Sequence, residues 1–445
     1  MQIVVKQALL PEGWAENIAI TVSDGVITAV EPAGAGVAAG VDTLLPGMSN
    51  LHSHAFQRGF AGLTEQRGAM RDSFWTWREM MYRFALQLDP DGAQAIAEMA
   101  YVEMLEAGYT RVGEFHYLHH APDGQSYDDP AEMSARIFAA AHATGLNLTH
   151  LPVFYAHGGF GPVPAGAGQR RFLHGFESFL ELISHCDALA TRPGDLVGYA
   201  PHSLRAASGA DLSALVAALP GRRVHIHIAE QVKEVEDCIA FSGQRPVDWL
   251  FDHAEVTPDW CLIHATHLTE GEVARIAASG AVAGLCPVTE ANLGDGIFAG
   301  RAFLEAGGRI GLGTDSNVQI GLAGELQALE YSQRLSLRER NVMTPQPGST
   351  GQQLFDAALA GGAQALGAGD PVIAVGAPAD LVALDDPFQL GTDGAQTLDR
   401  WIFGRDIRVR DVWVRGAHLV QEGRHVARDA IAQRYVQVVR DVLAR

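Results

Sequence analysis

The chain has 445 residues, 47% of them hydrophobic and 19% charged, with a formal net charge of −20. That length points to one large domain plus a smaller one, and so acidic a surface argues against nucleic-acid and anionic-membrane partners. No apolar run approaches the ~20 residues of a membrane span, and Cys186, Cys238, Cys261 and Cys286 form no Cys-x-x-Cys pair, so a cytoplasmic chain with buried, reduced thiols is expected.

Residues 2–45 read as short strands at 3–5, 18–22 and 26–30, with Ser23-Asp24-Gly25 as a hairpin turn and a glycine- and alanine-rich stretch at 33–40. From Leu45 the rhythm changes, and apolar runs alternate with helical segments. Strands are predicted at 49–54, 111–117, 146–154, 196–201, 223–228, 260–264, 281–286 and 310–315. Between them Ile96, Met99, Val102 and Leu105 recur at helical spacing before Gly108, and Thr269 with Glu272 forms a capping box. Strand–helix units repeated in this way predict an α/β fold, a closed (β/α)8 barrel of the TIM type over 46–369. A doubly wound sheet is disfavoured, because no Gly-x-Gly-x-x-Gly follows the first strand. After about 370 short strands return at 379–384, 409–414 and 419–420. The two ends, 1–45 and 370–445, are expected to pair as a small β-sandwich domain, since isolated hairpins are only marginally stable.

Ionisable residues gather where the barrel strands end. His52 and His54 stand two apart, so in a strand both rings point to one face. His227 ends the fifth strand with Glu230 three residues on, His264 ends the sixth, and Asp315 ends the eighth. A lone His-x-His is more often a half-buried polar pair. Four strands that all terminate in metal-type ligands or acid–base residues point instead to a site at the C-terminal mouth of a barrel.

These residues carry a resemblance. Leu45-Pro46-Gly47-Met48 leading into His52-Ser53-His54, with His227-Ile228-Ala229-Glu230, His264-Ala265-Thr266-His267 and Thr314-Asp315-Ser316, resembles the mononuclear deaminase branch of the amidohydrolase superfamily. The likeness runs on to Gly376-Ala377-Pro378-Ala379-Asp380-Leu381-Val382. On the substrate side, Phe56-Gln57-Arg58-Gly59, Phe74-Trp75-Thr76-Trp77-Arg78, Gly113-Glu114-Phe115-His116-Tyr117 and Ala200-Pro201-His202-Ser203-Leu204-Arg205 resemble the formimidoylglutamate deiminases within it.

The resemblance implies hydrolysis of N-formimidoyl-L-glutamate to N-formyl-L-glutamate and ammonia, a step of histidine degradation, by a homodimer. It places one Zn2+ per subunit, with Fe2+ as the other ion such a set accepts, on His52, His54, His227 and Asp315. No lysine near the end of the fourth strand is available to bridge a second metal. In the implied mechanism Asp315 takes the proton of the attacking water, His264 orients that water, and Glu230 protonates the departing nitrogen. The two carboxylates of the small-molecule substrate fall to Arg205 as a bidentate clamp and to Arg78 with Gln57, assisted by Tyr117 and His202.

Some residues are set aside. His267 reads as structural, His116, His119 and His120 as loop residues, and Trp75 and Trp77 as packing for the segment that carries Arg78. A purine or pyrimidine deaminase of the same fold is the alternative, an amide or lactam hydrolase a third reading, and a non-catalytic barrel scaffold a remote one.

Overall fold

The computed structural model describes residues 1–67, 72–404 and 406–444. Eight stretches of parallel strand form the barrel: Met48–Ser53, Tyr109–His116, Asn147–Phe154, Leu196–Val197 continued by Ala200–Pro201, Val224–Ile228, Trp260–His264, Val282–Leu285 and Arg309–Leu312. The first four and the last four pair in chain order as two arcs. Bridges at Tyr199–Val224, Ser203–His227 and Ser53–Asp315 join the arcs into a closed ring.

Nearly every barrel-strand residue is buried on both faces, which is why these strands read as apolar runs without alternation. Close approach is required at the eighth strand. A Cβ on Gly311 would lie 2.4 Å from Leu51 Cδ2, and one on Gly313 would lie 2.7 Å from the His52 carbonyl oxygen. Glycine at both positions lets the last strand press against the first, the one that carries the paired histidines.

The fourth barrel strand is split where the sequence predicts one run. The Gly198 amide donates to the His150 carbonyl, whereas the next amide, Tyr199, donates to Arg223. These amides alternate between the third and fifth strands as in any central strand, and pairing with the third strand resumes in the same register at Ala200–Pro201, so the two pieces act as one barrel strand.

The chain ends build one sheet of eight strands around Val41–Pro46, which lies parallel to Gln2–Leu10 and antiparallel to Leu381–Asp385. The sheet folds over on itself: the Ile27 amide donates to the Ala377 carbonyl, and the Gly376 amide to the Ile27 carbonyl. Ile20, Ile27, Leu44, Ala383 and Trp413 fill the space enclosed.

The strand Val41–Pro46 and the helices Gly394–Phe403 and Arg428–Leu443 were not foreseen in the sequence. In the last helix Ile431 packs on Met99 and Val102 of the helix Pro90–Glu106. Its apolar stripe thus covers the barrel wall. No helix among the described residues is long and apolar enough to cross a membrane.

Candidate active site

His52 lies next to last in the first barrel strand and His54 directly follows it, both with buried rings. The His54 Nδ1–H donates to the Phe115 carbonyl at 2.8 Å, and the His227 Nδ1–H donates to the His202 carbonyl at 2.9 Å. A carbonyl can only accept, so each ring turns an unprotonated Nε2 inward. The two inward nitrogens meet His52 Nε2, 3.1 Å from that of His227, and Asp315 Oδ1, 3.2 Å from His54 Nε2 and 3.4 Å from His52 Nε2. All four residues offer a ligand atom within 4.8 Å of one another.

Burial pushes the histidines down, His52 to about 3, so they are neutral imidazoles at physiological pH. Three neutral imidazole nitrogens and one carboxylate, converging on one point, are the donor set of a metal centre, and carbonyls behind two of the rings hold the required tautomer. The only lysines in the chain are Lys6 and Lys233, and Lys233 is exposed and paired with Asp237. No lysine is placed to bridge a second ion.

Backbone conformation aims these groups. Ala229, His264, Ala265 and Asp315 all adopt left-handed φ of 45–68°, uncommon for residues with side chains. Each lies where a strand ends, and the reversal turns the chain outward while the side chain stays over the barrel.

The first and eighth strands are riveted by two asparagines. Asn50 Oδ1 accepts from the Thr314 amide and Asn50 Nδ2 donates to Thr314 Oγ1. Asn317 Nδ2 lies within 3.1 Å of three oxygens, Ser53 Oγ, the His54 carbonyl and the Asp315 carbonyl. Sequence reasoning passed over both. Asn50, a lone amide in a buried strand beside the ligand motif, was the available signal.

Beside this centre His264 Nε2 lies 3.8 Å from Glu230 Oε1 and 3.8 Å from Asp315 Oδ2. Its Nδ1 faces Glu290 Oε1 at 3.3 Å, and that oxygen also accepts the Cys286 amide. Burial alone would push His264 down, but the surrounding carboxylates of Glu230, Glu290 and Asp315 outweigh it and hold the imidazolium. Burial pushes Glu230 up. Glu290 carried no signal in the sequence, where it is one more acidic residue in a helix's first turn. His267 stands apart, its Nε2–H donating to the Asp295 carbonyl.

A small cavity of about 50 Å3 opens over these groups, lined by His54, Gln57, Arg78, Tyr117, His202, Arg205, His227, Glu230, His264 and Asp315, together with Trp77, Tyr82 and Tyr155. His52 sits beneath its floor. Gln57 Nε2 donates to Tyr117 Oη at 2.8 Å, and the Tyr117 ring packs on His54 and Phe172. Arg78 Nε and Arg205 Nε are buried and have no hydrogen-bond partner among the described residues. Among the described residues no carboxylate lies within 4.0 Å of either guanidinium, although most other arginines are paired, for example Arg58 with Glu103 and Arg400 with Asp386. Tyr155, whose hydroxyl accepts from Gln169 Nε2 at 2.5 Å, and Tyr82 are pocket residues that sequence reasoning missed. His119 and His120 donate to the Val153 and Leu173 carbonyls and do not line the cavity.

Residues 43–418 match the model of the amidohydrolase family, and residues 2–42 match the N-terminal domain of formimidoylglutamate deiminase HutF. The chain is 52% identical to a formimidoylglutamate deiminase of Pseudomonas aeruginosa, over 99% of each chain. It superposes on an amidohydrolase from Brucella melitensis with a TM-score of 0.96, at 52% identity and 99% coverage of both chains. A zinc-bound adenosine deaminase from Xanthomonas campestris shares the fold, with a TM-score of 0.80 and 23% identity over 100% of this chain and 98% of that one.

Proposed function

The chain belongs to the amidohydrolase family, and on that footing we propose that it hydrolyses N-formimidoyl-L-glutamate to N-formyl-L-glutamate and ammonia. The observation that carries the substrate is the pair of half-buried guanidiniums, Arg78 and Arg205, that line one cavity with no carboxylate within 4.0 Å among the described residues, in a chain whose net charge is −20. The anions acting on Arg205 are Glu234 and Glu230, outside ion-pair distance, and a ligand with two carboxylates supplies the direct partner that each guanidinium lacks. A nucleobase offers no such charge.

His52, His54, His227 and Asp315 are the residues that would hold one zinc ion per subunit, with Fe2+ the other ion that this donor set accepts. When bound, such an ion supplies Lewis-acid activation of water at neutral pH. Asp315 Oδ2, turned toward His264, takes the proton that the attacking water loses. The His264 imidazolium, held by Glu290, stabilises the oxygen on which negative charge develops. Glu230, whose carboxyl burial pushes up to about 7 beside His264, passes a proton to the departing nitrogen. The balance is one amidinium and one water consumed, one formamide and one ammonium released.

Arg205 and Arg78 bind the two carboxylates, with the Gln57–Tyr117 pair and His202 along the cavity wall. A division into a barrel over 46–369 and a small domain from 1–45 and 370–445, a homodimeric assembly and a cytoplasmic location complete the reading. The resemblance to the deiminases supports these three. The decisive experiment is ammonia release by zinc-loaded enzyme from formimidoylglutamate, guanine, cytosine and adenosine in parallel. Turnover of formimidoylglutamate alone is expected, and release only from a nucleobase overturns the assignment of the arginines.

A further inference from the structure

Trp75 lines no part of the cavity, although Phe74, Trp77 and Arg78 beside it do. Its half-buried indole stands behind the two substrate-side arginines instead. The guanidinium carbon of Arg78 lies 4.6 Å from the ring centroid, and that of Arg205 lies 5.7 Å away. The arginines come from distant segments, Arg78 from the helix Phe74–Ala85 and Arg205 from the loop that follows the fourth barrel strand. Lys233 Nζ reaches the same ring at 6.0 Å but is already paired with Asp237.

Two like-charged guanidiniums stand beside one ring with no carboxylate within 4.0 Å among the described residues, although Glu234 and Glu230 still act on Arg205 from further off. The indole face carries the negative side of the ring quadrupole, and it is a compensating group that both guanidiniums share. Neither can swing away from the other without leaving the ring. Each contact of this kind is worth a factor of about 2–30 in an equilibrium constant.

We propose that Trp75 is a positioning residue that sets the separation of Arg78 and Arg205, and through it the length of diacid that the pocket accepts. This rests on the dicarboxylate reading above. It gives Trp75 a role beyond packing for its helix: one ring fixes the spacing of two binding groups drawn from distant segments of the chain.

The test is calorimetric binding of N-formyl-L-glutamate and N-formyl-L-aspartate to zinc-loaded wild type, Trp75→Leu and Trp75→Phe, alongside kcat and KM. Wild type is expected to favour the glutamate compound about tenfold or more. Trp75→Leu weakens that compound by about tenfold and narrows the preference, while kcat stays within about threefold. Trp75→Phe, which keeps an aromatic face, recovers most of the loss and carries the comparison if the leucine variant fails to fold. On an Arg205→Met background the Trp75→Leu change has a smaller effect, because one of the two contacts it removes is already gone and there is no longer a spacing to set. Unchanged affinity and preference in both Trp75 variants, or full additivity with Arg205→Met, overturns the inference. Failure of wild type to bind either compound overturns the dicarboxylate reading beneath it, a result distinguishable from the first.

Discussion

Asp315 is fastened to His52 twice. Its amide donates to the His52 carbonyl at 2.9 Å, and its carboxylate oxygen lies 3.4 Å from His52 Nε2. The same contact that closes the barrel between its first and last strands therefore also assembles the donor set. Barrel closure and the placing of the donor set depend on one seam in this fold, so a change that loosens the seam is felt at the site.

Replacing Asp315 with Asn keeps the main-chain bond but exchanges the only anion of the donor set for a neutral amide. Zinc content after purification is expected to fall well below one per chain, with kcat lower by at least about 10³-fold. Elemental analysis checks the first expectation, and a fully loaded, active variant refutes the ligand assignment.

Asn317→Asp removes the amide that reaches three oxygens and puts a second carboxylate near Asp315. Losing donors to buried acceptors costs roughly 1–3 kcal/mol for each group left unsatisfied. A lower denaturation midpoint is expected, together with weaker zinc retention during dialysis against a chelator. A stable variant with normal retention would mean that the seam does not hold the site together.

Arg205→Met and Arg78→Met each remove one charge-assisted clamp on the substrate. KM is expected to rise by roughly 10- to 150-fold for each, the range for hydrogen bonds to charged groups, with zinc content unchanged. Steady-state kinetics with formimidoylglutamate decides this, and an unaltered KM removes the residue from the pocket's recognition set.

Glu230→Gln should keep zinc and fold normally while losing turnover by about 10²–10⁴-fold, the scale of a positioned acid–base group. Wild-type kcat in that variant would remove Glu230 from the proton transfers.

Glu114 supplies a pH dependence of stability. Burial pushes its carboxyl up to about 8, and its Oε1 accepts the Ala55 amide. Because the folded value lies above the unfolded one, the native state binds more protons in between. This contribution to stability is full below the ordinary carboxylate range and is lost as pH rises toward 8, with a slope of up to about 1.4 kcal/mol per pH unit. Glu114→Gln still accepts the Ala55 amide and does not titrate. Denaturation at pH 5, 6.5 and 8 is expected to show wild type losing ground to Glu114→Gln as pH rises. Parallel curves refute it.

Much of this molecule was legible in the chain. The barrel strands are buried on both faces, and a strand buried on both faces announces itself as an apolar run. The strand spacing of His52 and His54 put both rings on one face, and His227, His264 and Asp315 each close such a run. The ends were harder to read. The strand Val41–Pro46 is held by Gln2–Leu10 on one side and Leu381–Asp385 on the other, and such distant partners leave no local mark. The helix Arg428–Leu443 gains its stability from packing on Pro90–Glu106 rather than from propensity.

By itself, then, the sequence determined the strand-by-strand rhythm and the ligands that terminate it, because both follow from periodicity along the chain. Only the tertiary structure decided which charges are free. Arg58 and Arg78 look alike in sequence, yet Arg58 meets Glu103 while Arg78 and Arg205 have no carboxylate within 4.0 Å among the described residues and lie beside the ring of Trp75. Whether a charge is neutralised depends on what barrel closure brings beside it from far along the chain. That three-dimensional fact leaves two ordinary arginines open to the cavity, where we propose that they meet a dicarboxylate.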